Sequence, residues 1–143
     1  MLKKLFAPGN DSLCTNLALL ILRLWLGLTM LFNHGLGKLT GFSTLAPKFG
    51  DPLGLGPTFS LALVAFAEFF ASILLALGLV TRFASLVLVT NMSVAFFLAH
   101  HAKLSGDHNG EVAFIYLSGY VVLLIAGGGR FSLDRSLFAR AAR

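Results

Sequence analysis

The sequence predicts an all-α membrane protein, a bundle of four transmembrane helices with both termini on the cytoplasmic side. Its 143 residues are 57% hydrophobic and only 12% charged, with a mean hydropathy of +0.84. A soluble domain of this length would carry roughly 25% charged residues. Four apolar segments each approach the ~20 residues that cross the hydrocarbon of a bilayer, and they occupy most of the chain. We therefore expect a single membrane domain over residues 1–143.

The apolar segments set the expected bounds of the helices. Glycines from Gly35 onwards are expected to end the first helix near His34. Pro47, Pro52 and Pro57, with several glycines between them, exclude a long regular helix between the first two spans. The spans are predicted at about 15–34, 58–79, 83–101 and 111–126.

Basic residues predict the orientation, because cytoplasmic loops of membrane proteins carry an excess of Lys and Arg. With four spans, both termini and the middle turn lie on one side, which then holds Lys3, Lys4, Arg82, Arg130, Arg135, Arg140 and Arg143. The opposite, outward side holds Lys38, Lys48 and Lys103. Both termini are therefore expected in the cytoplasm. Residues 130–143 combine apolar and charged positions, which predicts an amphipathic helix on the membrane surface.

Composition also excludes several classes of function. The net charge is +5, but no basic patch is interleaved with exposed aromatic residues, so nucleic-acid binding is not expected. The single cysteine, Cys14, excludes an intrachain disulfide and dithiol exchange within this chain. A cleaved signal peptide is not expected either, because Arg23 interrupts the first apolar stretch.

Two charged residues inside the predicted spans are the strongest signal of a polar site. Arg23 shares one helical face with Gly27, Met30 and His34, and Glu68 lies near the middle of the second span. A charge at the centre of a lone helix costs roughly 2.5–3.5 kcal/mol, so it needs a partner or a wet cavity. At a rise of about 1.5 Å per residue, the two lie at about 12 and 18 Å from the cytoplasmic end. We predict a buried Arg23–Glu68 pair, which either locks the bundle or forms a proton, quinone or anion site.

A second polar cluster is expected at the outward end of the bundle. His34 and Lys38 end the first span, His100 and His101 end the third, and Glu111 begins the fourth. Such residues relay protons, bind an acidic substrate or ligate a metal. Zinc or copper binding, and axial haem ligation by His34 and His100, are weaker alternatives, since no haem-attachment motif accompanies the histidines. The simplest alternative is that these residues anchor helix ends at the interface.

Two further residues are candidates for contact with a ligand. Trp25 neighbours Arg23 and is a candidate to pack over a ring-shaped ligand, although single tryptophans in spans usually face lipid or the core. Met92 shares a helical stripe with Phe96 and His100, a pattern that is more often typical of packing. Small residues along the spans also permit close helix contacts, and with them a homo-oligomer.

Several motifs follow one another along the chain: Arg23, His34-Gly35, Lys38, Glu68, Gly78-Leu79-Val80-Thr81-Arg82, Met92, Glu111, Gly127-Gly128-Gly129 and Ser132-Leu133-Asp134. Together and in this order, they resemble the DoxX family of small bacterial and archaeal membrane proteins, over about residues 20–137. The family commonly has Gly-Pro-Gly before Ser-Leu-Asp, whereas this chain has Gly128 at the middle position.

The resemblance implies a four-helix bundle in a bacterial or archaeal cytoplasmic membrane and a loose link to redox processes, including terminal oxidases, thiosulfate:quinone oxidoreductase, and thiol or quinone stress. It supplies no catalytic residues. The leading hypothesis is a redox-associated subunit that binds a quinone or a small electron-transfer partner, with Arg23–Glu68 as the polar core of its pocket. In this hypothesis, His34 and Glu111 exchange protons and Lys38 attracts an anionic substrate. Two alternatives stay open: ligand or metal transport or sensing by the outward histidines, and a non-catalytic adaptor for a partner enzyme.

Overall fold

The described part of the chain folds into helices joined by short turns and two longer loops. The computed structural model describes residues 13–141, with the side chains of 13–137, and no strand occurs among these residues. The all-α prediction is thereby confirmed for this part. The helices are α1 Leu13–Thr40, α2 Phe42–Leu45 with a 3-10 turn over Ala46–Lys48, α3 Pro57–Leu77, α4 Thr81–Ala99, α5 Glu111–Ala126 and α6 Leu133–Ala141.

Three of these helices have the length and composition to cross a membrane. α1, α3 and α4 contain 28, 21 and 19 residues, and each includes a strongly apolar stretch of 18 residues. α5 is also apolar but has 16 residues, which corresponds to about 24 Å of helix. The molecule is thus a multi-pass membrane protein, while the fourth span and the orientation of the termini stay predictions. Lys3, Lys4 and Arg143, which helped to predict that orientation, lie outside the described residues.

The predicted bounds of the first span need the largest correction. The helix does not end near His34 but continues to Thr40 through a π-helical turn over Leu31–Gly35. Glycine stops a helix when nothing favours its continuation, but here Gly35 is buried against α3. The last turns of α1 therefore carry Lys38 as a helical residue facing the bundle.

The other spans lie close to their predicted positions. α3 and α4 begin and end within two residues of the expected bounds, and α5 has the bounds predicted for it. The turn between α3 and α4 lies at Gly78–Val80, so Thr81 and Arg82 already belong to α4. Ser132 caps α6, because its hydroxyl oxygen accepts a hydrogen bond from the Arg135 backbone N–H at 3.3 Å.

Two ends of the bundle are distinguished by their connections. We call the end formed by residues 41–56 and 100–110 the loop end, and the end formed by residues 78–80 and 127–132 the turn end. Three helices contain a π-helical turn: Leu31–Gly35 and Val94–Ala99 lie in the half of α1 and α4 nearer the loop end, and Phe66–Ala71 lies at the middle of α3. Such turns widen a helix locally and are frequent at functional sites.

The core is apolar and lies where α4 and α5 pack along each other and α1 packs along α3. Its largest fully buried apolar side chains include Met30, Leu75, Leu88, Tyr120 and Leu123. Many large apolar side chains of the same helices remain exposed on the outer surface. That surface suits a lipid surrounding, because hydrocarbon imposes no cost on exposed leucine and phenylalanine.

Candidate functional site

A cavity of about 930 Å³ lies between α1, α3, α4 and α5, toward the loop end. Its size is within the range of small-molecule sites, and most of its lining is apolar. Part of the loop before α3, Phe49–Leu53, contributes to its wall. All three π-helical turns border it. Its polar lining residues are His34, Lys38, Ser60, Glu68, Thr90, Asn91, His100, Asn109 and Tyr116.

An ion pair and an amide form the polar centre of the cavity wall. The Lys38 ammonium group pairs with Oε2 of Glu68, whose side chain is only 7% exposed. The Asn91 amide donates to the other carboxylate oxygen, Oε1, at 3.3 Å. We call this group the Lys38–Glu68–Asn91 cluster. It draws one residue from each of α1, α3 and α4, so its geometry depends on the packing of all three helices.

A close contact between two backbones places Glu68 beside α1. A Cβ atom added at Gly35 would lie 2.4 Å from the Glu68 carbonyl oxygen, so only glycine permits this approach. Lys38 follows Gly35 by three residues and lies on the adjacent part of the same helical face. The long side chain of Lys38 can then reach the Glu68 carboxylate from the loop end.

Aromatic and imidazole rings line the cavity next to the cluster. The ring of His34 meets Tyr116 edge-on, with centroids 5.8 Å apart, and Tyr116 stacks on Tyr120 at 5.8 Å. Tyr120 donates a hydrogen bond to the Leu26 carbonyl at 3.4 Å, which fixes this stack against α1. Met92, as predicted from its stripe, is buried and lines the cavity as well.

His100 closes the loop-end side of the cavity. Its Nδ1 lies 2.9 Å from the His108 carbonyl oxygen. Because a carbonyl only accepts, Nδ1 carries the proton and a neutral ring leaves Nε2 as an acceptor. The imidazole is therefore oriented by the loop that joins α4 to α5.

The predicted pairing of Arg23 with Glu68 is wrong. Arg23 is fully buried, and its guanidinium donates to three backbone carbonyls: Leu75 and Ala76, each at 3.4 Å, and Phe131 at 2.7 Å. Gly35, not Arg23, lies at the level of Glu68. The twelve residues between Arg23 and Gly35 correspond to about 18 Å of helix, too far for a direct contact. Arg23 is also absent from the cavity lining.

Arg23 instead belongs to a buried polar region at the turn end. Gly78 ends α3 with a positive φ of 69°, and a Cβ atom there would lie 1.9 Å from an Arg23 nitrogen. The Asp134 carboxylate accepts hydrogen bonds from the backbone N–H groups of Val80 and Thr81, at 2.6 and 2.9 Å, and so caps α4. We call Arg23, Gly78–Thr81 and Phe131–Asp134 the turn-end cluster.

The remaining predicted site residues lie away from the cavity. Trp25 is 72% exposed on the outer surface of α1. Glu111 is exposed at the start of α5, and His101 is exposed in the loop between α4 and α5. None of the three lines the cavity. Within residues 13–141, no group of three or more His, Cys, Asp or Glu side chains is arranged to hold a metal ion. Cys14 is exposed and has a free thiol.

Sequence reasoning did not propose Asn91 and Tyr116 as site residues, although the structure brings both to the cavity. Asn91 is the most deeply placed amide of its span, and a buried amide requires a hydrogen-bond partner. The chain has only two tyrosines, Tyr116 and Tyr120, and both lie on α5 at a spacing of four residues. Two tyrosines on one face of an otherwise apolar helix could therefore have identified Tyr116 as a candidate site residue.

Comparison with known proteins found one family model and two related proteins. A family model described as DoxX matches residues 18–101, more than half of the chain. Two proteins of Haemophilus influenzae, both described only as uncharacterized, are 31% and 33% identical to it. The alignments cover 78% and 84% of this chain, and 84% and 83% of those proteins. No solved structure matches the chain.

Proposed function

Since the chain belongs to the DoxX family, we propose that it is a redox-associated membrane subunit that binds a quinone in the cavity beside the Lys38–Glu68–Asn91 cluster. The observation that carries this proposal is the combination of a largely apolar cavity of about 930 Å³ with one compact polar group on its wall. A quinone has the matching chemistry, an apolar ring with carbonyl oxygens that accept hydrogen bonds.

The charges of the cluster support a neutral ligand. Lys38 and Glu68 neutralise each other, so the site as a whole offers no net charge to an ion. The Lys38 ammonium and the Asn91 amide both carry N–H groups beyond those used with Glu68, and these donate to a quinone carbonyl. A quinol hydroxyl, in turn, donates to the Glu68 carboxylate. The same group thus suits both redox forms.

Reduction of a bound quinone to quinol consumes two electrons and two protons. We propose that a partner oxidoreductase exchanges the electrons. His34 lines the cavity and is the proposed group for proton exchange. Glu111, exposed at the start of α5, is proposed to exchange protons with water at the loop end.

The proposed setting is the bacterial or archaeal cytoplasmic membrane, with α5 as a fourth span and both termini inside. At about 24 Å, α5 is somewhat shorter than the ~30 Å hydrocarbon core, a mismatch that tilting of its neighbours and thinning of the bilayer accommodate. Reporter fusions after residue 105 and at the C-terminus test this topology. We expect opposite sides of the membrane for the two, and the same side would exclude a fourth span.

Quinone binding is tested with the purified protein in mild detergent. We expect saturable binding of a ten-carbon-tailed benzoquinone, and quinone in the solvent extract of the protein as isolated. The variants Lys38→Met/Glu68→Gln and Asn91→Leu should each weaken binding at least about tenfold, because they remove hydrogen bonds made to the ring.

Two exposed positions supply matched controls. Lys48→Met and Asn33→Leu change the same residue types outside the cavity and should leave the affinity unchanged. Equal affinities in wild type and in both cavity variants would exclude the cluster as the site. A protein that binds no quinone but co-purifies with an enzyme in fixed ratio would instead favour the adaptor function.

A further inference from the structure

We infer that the ligand reaches the cavity from the hydrocarbon of the bilayer, through a gap between α3 and α4, and that its apolar tail lies in this gap. The inference rests on the proposed function and narrows its substrate class to quinones with a long apolar tail. We call the gap the lateral portal and define it by Leu63 and Phe66 of α3 and by Leu86 and Thr90 of α4.

Residues of the lateral portal belong to the cavity wall and to the outer surface at once. Leu63, Phe66 and Leu86 line the cavity, yet they are 45%, 50% and 49% exposed. Side chains with both properties lie on the rim of an opening, and Leu53 and Val112, at 49% and 56% exposed, show the same two properties at the loop end. Thr90 is exposed too, and its hydroxyl donates to the Leu86 carbonyl at 3.0 Å, so it offers no free donor to the gap. The rim is therefore effectively apolar.

The depth of the portal decides which medium it faces. α3 begins at the loop end with Pro57, and α4 ends there with Ala99. Phe66 lies nine residues from Pro57, which corresponds to about 14 Å of helix, and Leu86 lies thirteen residues from Ala99, which corresponds to about 20 Å. In a hydrocarbon core of about 30 Å, these positions face lipid tails rather than headgroups.

The loop end of the cavity has a tethered cover. The segment Phe49–Leu53 forms part of the wall, and Asp51 within it accepts three hydrogen bonds. These come from the Ser60 hydroxyl at 2.8 Å and from the backbone N–H groups of Leu55 and Gly56, at 2.9 and 2.7 Å. The cover is thus tied to the start of α3. An apolar opening in the bilayer and a tethered cover at the water side together favour a lipid-soluble ligand.

Photoaffinity labelling in liposomes tests where the two ends of the ligand lie. Two benzoquinones with a ten-carbon tail are used, one with an azide on the ring and one with an azide at the tail end. We expect ring adducts on cavity residues near Lys38 and Asn91, and tail adducts on Leu63, Phe66 or Leu86, both suppressed by unlabelled quinone.

Three outcomes would overturn the inference, in distinguishable ways. Ring adducts in the cavity with tail adducts on Phe49–Leu53 or Val112 would leave the quinone site standing and place the opening at the loop end. Tail adducts on outer helix surfaces that excess quinone does not suppress would mean that the tail has no fixed position. The absence of any suppressible ring adduct would overturn the proposed function, and the portal with it.

A pair of tryptophan variants on α4 supplies a kinetic readout. Leu86→Trp narrows the portal and should slow association of the tailed quinone about tenfold, with a smaller effect on the equilibrium affinity. Leu98→Trp places the same side chain on an exposed position outside the cavity. This variant should bind the tailed quinone at the same association rate as the wild type. Equal association rates for the two variants would exclude access between α3 and α4.

Discussion

Two cations on one helix meet opposite surroundings in this protein. Arg23 and Lys38 both lie on α1, and both face the bundle rather than the outer surface. Arg23 is fully buried and donates to backbone carbonyls of α3 and of the segment before α6. Lys38 is partly exposed and pairs with the Glu68 carboxylate on the wall of a cavity.

The chemistry of the two side chains fits these different roles. A guanidinium presents five N–H donors in a fixed plane, so it can join carbonyls from separate segments at once. A lysine ammonium is a point charge on a flexible stem and pairs with one carboxylate. Arg23 therefore connects α1, the end of α3 and the segment before α6, whereas Lys38 helps to form a group that a ligand can reach.

The difference teaches how to interpret a charge inside an apolar helix. Such a charge indicates that a partner exists, because an unpaired one is costly in hydrocarbon. It does not indicate whether the partner is architectural or functional. In this molecule the distinction follows from the neighbours: backbone carbonyls without a cavity at Arg23, and a carboxylate beside a cavity at Lys38. Substitutions can test this division of roles directly.

The largest expected effect is the loss of stability on replacing Arg23. Arg23→Met leaves one buried and two partly buried carbonyls without their donor, and each charge-assisted hydrogen bond contributes about 1.5–3 kcal/mol. We expect a loss of at least about 3 kcal/mol, seen as a much lower melting temperature in detergent. Lys38→Met/Glu68→Gln should change stability by less than about 1 kcal/mol, because removing both charges leaves neither uncompensated.

Arg82→Met is the control for Arg23→Met, since Arg82 is exposed and donates to one carbonyl, that of Ile125 at 3.2 Å. It should melt within a few degrees of the wild type. If Arg23→Met melted like Arg82→Met, the structural role of Arg23 would be refuted. If Lys38→Met/Glu68→Gln were less stable than Arg23→Met, the Lys38–Glu68 pair rather than Arg23 would have the larger structural role.

A pair of glycine variants on α1 should give the next largest effect. Gly35→Ala places a Cβ atom 2.4 Å from the Glu68 carbonyl oxygen, so α1 and α3 must move apart. Overpacking of this kind costs about 1–3 kcal/mol, and it also shifts Glu68 relative to Lys38. We expect a lower melting temperature together with weaker quinone binding.

Gly37→Ala is the matched control, because nothing lies within 4 Å of a Cβ atom at Gly37. Alanine is the better helix former by about 1 kcal/mol, so this variant should be as stable as the wild type or more stable. Equal melting temperatures for the two variants would show that the helices do not touch at Gly35.

The lengths of α3 and α4 were predictable because the bilayer imposes them, and the end of α5 was predictable from the glycines that follow it. Roughly twenty apolar residues are needed to cross the bilayer, and Pro57, Gly78 and Gly127 interrupt the helical pattern near the ends of these segments. The end of α1 was not predictable in this way. Gly35 and Gly37 were interpreted together as helix breakers, but Gly35 permits a close helix contact instead.

The partner of Arg23 was hidden for a different reason. Carboxylates are rare in spans, so Glu68 was the obvious candidate, whereas carbonyl acceptors exist at every residue and leave no mark in a sequence. The resemblance motifs at Arg23, Gly78–Arg82 and Ser132–Asp134 were recognised separately. These motifs form one cluster only because the chain turns back after α5 and packs against the other two. This contact belongs to the tertiary structure, and the sequence does not show it.

The smallest expected effect concerns Asp51 in the cover at the loop end, and it appears as a dependence of stability on pH. The hydrogen bond from the Ser60 hydroxyl, followed by those from backbone N–H groups, holds the pKa of Asp51 below its ordinary value of 3.8, against an opposing effect of burial. A carboxyl whose pKa is lowered by folding stabilises the folded state above its unfolded pKa. This stabilisation is lost as the pH falls through the lower, folded value.

Wild type should therefore melt slightly higher than Asp51→Asn at pH 7, and the difference should shrink once the pH falls below about 3.8. Melting curves of both proteins between pH 7 and pH 3 measure it, with Asp107→Asn in the exposed loop after α4 as control. Because Asp51 contacts neither the Lys38–Glu68–Asn91 cluster nor the turn-end cluster, the change should be small beside those of Arg23→Met and Gly35→Ala. A difference between wild type and Asp51→Asn that stayed constant across this range would mean that the carboxylate charge does not tether the cover.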